Sequence, residues 1–438
     1  MNTKSADDSD DGILKRVLGI ERHELFGVAW SFLYFFCILS SYYMLRPMRE
    51  SMGVASGFES IPILFSSTFV VMMIATPIFG WVASRYPRRT FLPWVYGFFA
   101  LNILIFYGIF SYAIRNDIDT VWIGRVFFVW VSVFNLYIVS VFWSFMADIY
   151  TREQGRRLFG VISAGGSAGA LAGPFATGAL VVPLGFENLL PVSASLLLVG
   201  IFCIHKLRDW VQHEHEGEVI ETVATPKALG GSPLAGISHV ARSPYLSSIA
   251  FKSLLASLLG TALYMFMNKL VGETIAGADE RTQLFAYIDG TSNILTMLLQ
   301  LLVVRHAVGK LGVGMTLAIM PLFSFFGFLV LAVSPALVVV AVLQGARRSI
   351  GFGFAKPTTD MLYSVVTPEE KYKAKNFVDT AIYRGGDVIG TWSIKFMWGL
   401  GISGISFVML PFALLWSGIA LWLGREYKRR DLRIEETT

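Results

Sequence analysis

The chain has 438 residues, 54% hydrophobic and 15% charged, with a mean hydropathy of +0.59, and a water-soluble domain of this length could not bury that much apolar surface in one core. Its formal charge of +5 would suit nucleic acid only if Lys and Arg clustered on a soluble domain, and they do not. Its 2 cysteines, Cys37 and Cys203, fall in apolar stretches and read as small packers, which excludes a disulfide framework and a Cys-based metal site.

A helix that crosses a bilayer needs roughly 20 apolar residues. Twelve such stretches can be marked, at 25–45, 62–83, 91–112, 121–145, 158–182, 189–205, 245–268, 283–304, 311–333, 336–356, 377–398 and 403–424. They predict an all-α membrane protein of twelve transmembrane helices in two six-helix halves. Residues 1–24 form an N-terminal segment, 25–205 the first half, 206–243 a polar linker, 244–424 the second half and 425–438 a tail. The first segment, with the acidic run Asp7–Asp11 and no small-residue cleavage site after a short apolar core, is not expected to be a secretory signal. Of the 36 Lys and Arg residues, 24 fall in the N-terminal segment, the even-numbered loops and the tail. The odd-numbered loops carry 5 (Arg46, Arg49, Arg115, Lys269, Arg281) and the helices 7. By the positive-inside rule both termini are cytoplasmic, as in a multi-pass protein of a bacterial-type inner membrane. The basic charge then reports topology, and nucleic acid is not an expected partner.

Helix one ends on Ser41-Tyr-Tyr-Met-Leu-Arg46-Pro47-Met-Arg49-Glu50, where Arg46 and Arg49 flank a Pro-weakened turn and could form an anion seat. Between helices two and three runs Gly80-Trp-Val-Ala-Ser84-Arg85-Tyr-Pro87-Arg88-Arg89. Arg85, Arg88 and Arg89 can bind carbonyls at helix C-termini and hold one conformational state, or simply anchor the loop on the positive side. Arg125 is the ionisable group of helix four. In helix five, Gly160, Gly165, Gly166, Gly169, Gly173 and Pro174 allow close helix approach and a bend, for packing or for gating. The fourth-to-fifth helix turns of both halves pair an Asp (Asp148, Asp360) with a basic loop and a Gly-rich helix, which suggests an internal duplication.

Beside the linker, His205, His213 and His215 lie among Glu214 and Glu216, with poor metal-ligand spacing, and read as a solvated polar loop. The later helices carry Lys252, Asp289, Arg347, Arg348, Lys356, Asp379, Arg384, Asp387 and Lys395, a cationic surplus where an ionisable group must face a cavity or a partner. Arg347 and Arg348 are about 100° apart on a helix, so at most one faces a substrate squarely. Arg384 and Asp387, at i and i+3, are either a substrate clamp with a proton site or one satisfied ion pair. Lys252 and Asp289 admit two readings as well, substrate contact or a lock between helices. Lys356 can snorkel. The aromatics, 14% of the chain, are assigned to membrane belts and lipid contact.

The basic loop and the Gly-Pro helix resemble motifs of the major facilitator superfamily, which implies a major-facilitator-like fold. Ser84 and Pro87 stand where that loop motif has an acidic residue and a glycine. Two segments go further and resemble the ATP/ADP translocases, a nucleotide transporter family: Tyr43-Met-Leu-Arg46-Pro47-Met-Arg49-Glu50, and Pro357-Thr-Thr359-Asp360 with Lys371-Tyr-Lys373-Ala-Lys375, Asp379 and Arg384-Gly385-Gly386. Where that family has a Lys before the acidic residue this chain has Thr359, and where it has a Lys after the Arg-Gly stretch this chain has Asp387. The resemblance implies transport of an anion; the two departures favour one smaller or less charged than a nucleoside triphosphate, which carries about four negative charges.

The expected function is secondary active transport of a small organic anion by alternating access, nucleotide exchange included, with lipid as solvent and no cofactor. A monomer suffices, and the oligomeric state stays open. The substrate-binding candidates are Arg46, Arg49, Arg125, Lys252, Arg347, Arg348 and Arg384; those for proton coupling or gating are Asp289, Asp379, Asp387, Arg85, Arg88 and Arg89. The alternative is a proton-coupled symporter of a non-nucleotide solute. An embedded enzyme would need a paired nucleophile or acid–base group, and a sensor a larger soluble segment, and the sequence suggests neither. It has no P-loop, so ATP hydrolysis is not the expected energy source.

Overall fold

The computed structural model of the chain describes residues 20–85, 88–214 and 236–435. Every regular element among them is helical, the outcome expected where lipid offers backbone N–H and C=O groups no partner outside their own segment. The helices are α1 (Leu25–Ala55), α2 (Ile61–Arg85), α3 (Arg88–Arg115), α4 (Val121–Ile149), α5 (Arg152–Leu184), α6 (Leu189–Glu214), the short α7 (Ile237–Arg242), α8 (Pro244–Thr274), α9 (Ala278–Leu298), α10 (Val304–Val333), α11 (Leu337–Ile350), α12 (Lys356–Met361), α13 (Pro368–Phe377), α14 (Tyr383–Phe396) and α15 (Gly401–Glu435). Three π-helical turns, Leu299–Val303, Gly351–Ala355 and Val378–Ile382, join α9 to α10, α11 to α12 and α13 to α14.

Among the described residues, 10 helical stretches are long and apolar enough to cross a membrane. The chain is a multi-pass membrane protein. The two other stretches marked in the sequence coincide with α9 and its π turn and with α14 and its π turn, helical segments whose charged residues, Asp289, Arg384, Asp387 and Lys395, dilute their apolar character. The ends differ from the hydropathy pattern in several places. α1 continues through Pro47 to Ala55, so Arg46 and Arg49 are helical residues and not part of a loop; α9 begins at Ala278 and takes in Arg281. The expected helix 336–356 divides at Gly351, which puts Arg347 and Arg348 in the last turn of α11 and Asp360 inside α12. The predicted linker is entered by α6 and contains α7, whereas the His215–Glu216 end of the histidine group, and the side chains of His213 and Glu214, lie outside the described residues.

The chain forms two compact units. The first takes Met1–Met52, Met72–Ala228 and Gly277–Gly290, the second Gly53–Val71, Leu229–Ala276 and Thr291–Thr438. In the first, an aromatic core forms around the stacked pair Phe35 and Phe142, with ring centroids 4.0 Å apart. α5 lies directly on α1: a Cβ at Gly165 or Gly169 would collide with the carbonyl oxygen of Phe32 or Phe36, and one at Gly173 would stand 2.7 Å from that of Ser40. One glycine per turn brings the two backbones together, and Ser40 Oγ donates to Gly169 O at 3.4 Å. The N-terminus of α5 is closed by a Thr151/Gln154 capping box, and Arg157 in its second turn pairs with the buried Glu24 at 2.8 Å.

In the second unit α14 meets α8 in the same manner, with Gly386 against Ser257 and Gly390 against Thr261. Its smaller core gathers Tyr245, Leu246 and Ile249 with Leu362, Tyr363 and Leu423. Outside the spans, α13 is held by a Thr367/Glu370 capping box and by a 2.6 Å Lys373–Glu369 pair, a hydrogen bond that keeps the Glu369 carboxyl below its usual value.

The glycine ladder separates two substitutions of equal chemistry. Gly169→Ala should lower the stability of detergent-purified protein by about 1–3 kcal/mol, the range for overpacking a tight interface. Gly160→Ala, at a position with open space around its Cα, should be neutral or slightly stabilising; equal thermal unfolding of the two variants would refute the ladder.

Candidate functional site

The second unit collects charge along α8. Lys252 is buried, and its Nζ donates to Thr359 Oγ1 at 2.6 Å. The Thr359 hydroxyl in turn donates to Ala355 O at 2.6 Å, so its oxygen is free to accept from the ammonium. One turn further along α8, Arg347 Nη2 donates to the carbonyl of Ala256. The guanidinium crosses Gly260, where a Cβ would stand 2.6 Å from both Nη1 and Nη2. Both cations therefore rest on neutral oxygens. Among the described residues neither has a carboxylate within ion-pair distance. Arg348 reaches Asn293, whose Oδ1 accepts from Nη2 at 3.5 Å.

α14 brings Arg384 and Asp387 to the adjoining face of α8, where Ser257 and Thr261 each lie about 100° round the helix from Ala256 and Gly260. Arg384 Nη1 is 3.8 Å from Asp387 Oδ2, and the second carboxylate oxygen accepts from Ser257 Oγ at 2.6 Å and Thr261 Oγ1 at 3.5 Å. Ser257 Oγ also approaches Tyr383 O at 3.0 Å. Tyr383, whose carbonyl Ser257 Oγ meets, adjoins Arg384 in α14, so these groups cluster against α8. Below it, Lys356 pairs with Asp379 at 2.7 Å and Asp360 at 3.5 Å, and Lys375 pairs with Asp360 at 2.8 Å. The cluster is interrupted by two of the three π turns, one before Lys356 and one around Asp379. Such turns widen a helix locally and recur at functional sites.

The first unit treats its cations differently. Arg46 Nε lies 3.5 Å from Asp289 Oδ2, joining α1 to α9, and both side chains are mostly enclosed, at 21% and 8% exposure. Arg49 pairs with Glu50, donates to Ser132 Oγ at 3.1 Å and covers the Phe128 ring at 4.9 Å. Arg125 stacks at 4.5 Å on the ring of Trp122, near the start of α4. The sequence thus named side chains of two separate groups: Lys252, Arg347, Arg384, Asp379 and Asp387 in the second unit, and Arg46, Arg49 and Asp289 in the first. Arg85 ends α2 and is exposed, and Arg88 and Arg89 open α3, where their side chains lie outside the described residues.

Sequence reasoning missed the neutral partners Ser257, Thr261, Gly260 and Tyr383, and singled out Thr359 only as a lost cation and not as the partner of Lys252. A signal for some of them was present: Ala256 with Gly260 and Ser257 with Thr261 are small residues at i, i+4 in the helix that carries Lys252, the spacing that lets a neighbouring helix or guanidinium come close.

Comparison with known proteins places this geometry in a family. The profile of the Major Facilitator Superfamily matches residues 32–391. "ADP,ATP carrier protein 2" of Chlamydia pneumoniae is 22% identical over 481 aligned positions, covering 91% of this chain and 88% of the relative. The protein of the same name from Chlamydia trachomatis serovar D is 23% identical over 463, covering 88% and 86%. Among solved structures, the nucleoside transporter NupG superposes with a TM-score of 0.58 at 16% identity, over 93% of this chain and 99% of that one. A bacterial homologue of the iron transporter ferroportin, in an inward-facing state, gives 0.62 at 13% identity, over 92% and 98%. At these identities the structures speak for the fold.

The Arg46–Asp289 pair yields a double-mutant test. Either Arg46→Gln or Asp289→Asn should cost about 3 kcal/mol, the lower end for breaking a buried pair, since Arg46 retains some exposure. The double variant should recover part of that loss in thermal unfolding; strictly additive losses would show that the two groups do not interact.

Proposed function

The chain belongs to the Major Facilitator Superfamily, and from that membership we propose that it is a secondary active transporter of a small organic anion, working by alternating access without a resident cofactor. It is a membrane transporter and not an enzyme. The observation that carries the anionic part of the reading is the placement of Lys252 and Arg347: a buried and a half-buried cation, meeting α8 one turn apart, held by a hydroxyl and a carbonyl and not by carboxylates. A substrate anion supplies the charge that the protein withholds, and a charge-assisted hydrogen bond in an enclosed site contributes about 1.5–3 kcal/mol.

Lys252 and Arg347 are assigned to the substrate, and Arg384, which faces Asp387, to the rim of the same site. Arg46 and Arg49 already hold Asp289 and Glu50, which suits a gating contact of α1 better than an open anion seat. The names of the chlamydial relatives make nucleotide exchange the first activity to test. The twelve-span topology, with α9 and α14 as the two charged spans and both termini on the cytoplasmic side of an inner membrane, rests on the Lys and Arg asymmetry of the loops. Proton coupling through Asp387 is the second reading, favoured by its position beside Arg384.

In proteoliposomes preloaded with unlabelled anion, labelled nucleotides, sugar phosphates and dicarboxylates should divide into those that accumulate saturably by exchange and those that do not. Uptake of an accepted anion should fall at least tenfold in Lys252→Gln and Arg347→Gln, by the loss of about 1.5 kcal/mol or more. Uptake indifferent to both substitutions in folded protein would overturn the assignment. Uptake driven by an imposed pH gradient, and lost in Asp387→Asn, would replace exchange by symport.

A further inference from the structure

The site described above also limits how much negative charge it can take. Around α8 the connected groups are Lys252, Arg347, Lys356, Lys375 and Arg384 against Asp360, Asp379 and Asp387, five cations facing three carboxylates, which leaves two positive charges. The two lie on identified atoms. Lys356 and Lys375 share Asp360, Lys356 also holds Asp379, and Arg384 faces Asp387; the uncompensated pair is Lys252 and Arg347. An ammonium has three donors and a guanidinium five, and the neutral oxygens they meet here, Thr359 Oγ1 and Ala256 O, occupy one on each.

Asp387 is fixed on the adjoining face of the same helix. Its Oδ1 is held by the hydroxyls of Ser257 and Thr261, and the absence of side chains at Gly386 and Gly390 lets α14 come close enough for those hydroxyls to reach it. The carboxylate cannot swing away without abandoning both hydroxyls. A ligand with further negative charge beyond the Lys252–Arg347 pair therefore meets a fixed anion held against the same two turns of α8 that receive Arg347.

Building on the transporter reading, we infer that the site selects a dianion whose charge is concentrated on one phosphate-like head group, as in a phosphate monoester, and that Asp387, positioned by Ser257 and Thr261, is the residue that rejects longer polyphosphates. Lys252 and Arg347 receive the head group. Arg384 remains compensated by Asp387 and adds no net attraction. The same geometry accounts for Thr359: a hydroxyl at that position satisfies the Lys252 ammonium without adding the charge that a third free cation would bring.

The test uses the full chain in detergent and reads thermal unfolding against inorganic phosphate, pyrophosphate, tripolyphosphate, succinate and acetate, at constant ionic strength and at a pH where phosphate is dianionic. Phosphate should stabilise the wild type at a concentration at least tenfold lower than tripolyphosphate, succinate or acetate requires. Asp387→Asn, which keeps the side-chain size, should erase or reverse the preference for phosphate over tripolyphosphate, each shift being read from that variant's own midpoint without ligand. Lys252→Gln and Arg347→Gln should lose the response to all five, and the unliganded midpoints show whether those variants fold. A wild type that responds best to tripolyphosphate, equally to succinate, or to none of the five overturns the inference. So does an unchanged order in Asp387→Asn. Exchange measured in proteoliposomes separates this result from the transporter reading: the expected ligand order without any transport would refute transport and keep the head-group assignment, and transport with tripolyphosphate as the best ligand would do the reverse.

Discussion

An ionised side chain withdrawn from water into a bilayer must find a partner or line a polar space, because its transfer costs several kcal/mol. The distribution of partners organises this molecule. In the first unit, Arg46, Arg49 and Arg157 each find an acid, Asp289, Glu50 and Glu24 respectively. In the second, Lys252 and Arg347 do not, and settle on oxygens of Thr359 and Ala256. A pairing of the first kind neutralises its cation whatever else is bound. The second kind is incomplete by one anion, and a binding protein can use that incompleteness.

Close packing is what brings the charges within reach of one another. Glycines on α14 let it settle on the hydroxyls of α8, and the missing side chain at Gly260 gives the Arg347 guanidinium room to lie across that helix. Small residues at helix contacts are a general device in lipid, where burial of apolar area no longer distinguishes one helix neighbour from another. Here the same residues have an electrostatic consequence as well. A methyl group at 260 or 390 would push a charged group away from the site, not merely loosen a contact.

How much of this was legible in the sequence depended on the range of the interaction. Helical class and membrane character follow from hydropathy alone, and the charged side chains stand out because apolar segments make them rare. Segment ends were harder. Pro47 looked like an end of helix one, yet α1 continues to Ala55, since the helix tolerates the ring and the lost N–H leaves only one carbonyl to be satisfied. The π turn at Gly351–Ala355 was invisible to a pattern that counts apolar residues. Thr359 and Asp387 could be recognised as departures from a family motif, but their partners could not. Lys252 is 107 residues from Thr359 and Ser257 is 130 from Asp387, so a position read as a lost cation proves to be the seat of another one, and a position read as a reversed charge proves to be held by two hydroxyls.

The ladder of Gly165, Gly169 and Gly173 on α1 has a consequence for biosynthesis. α1 leaves the ribosome before α5, and the helix it needs comes much later, since Ser40 waits 129 residues for the carbonyl of Gly169. At about 5–20 residues per second that interval is roughly 6–26 s. For that time α1 lies in the lipid with its glycine-accepting face uncovered and with Glu24 without its α5 arginine, Arg157. α1 is then completed well after it is made, and the insertion machinery or a membrane chaperone has a long interval in which to hold it.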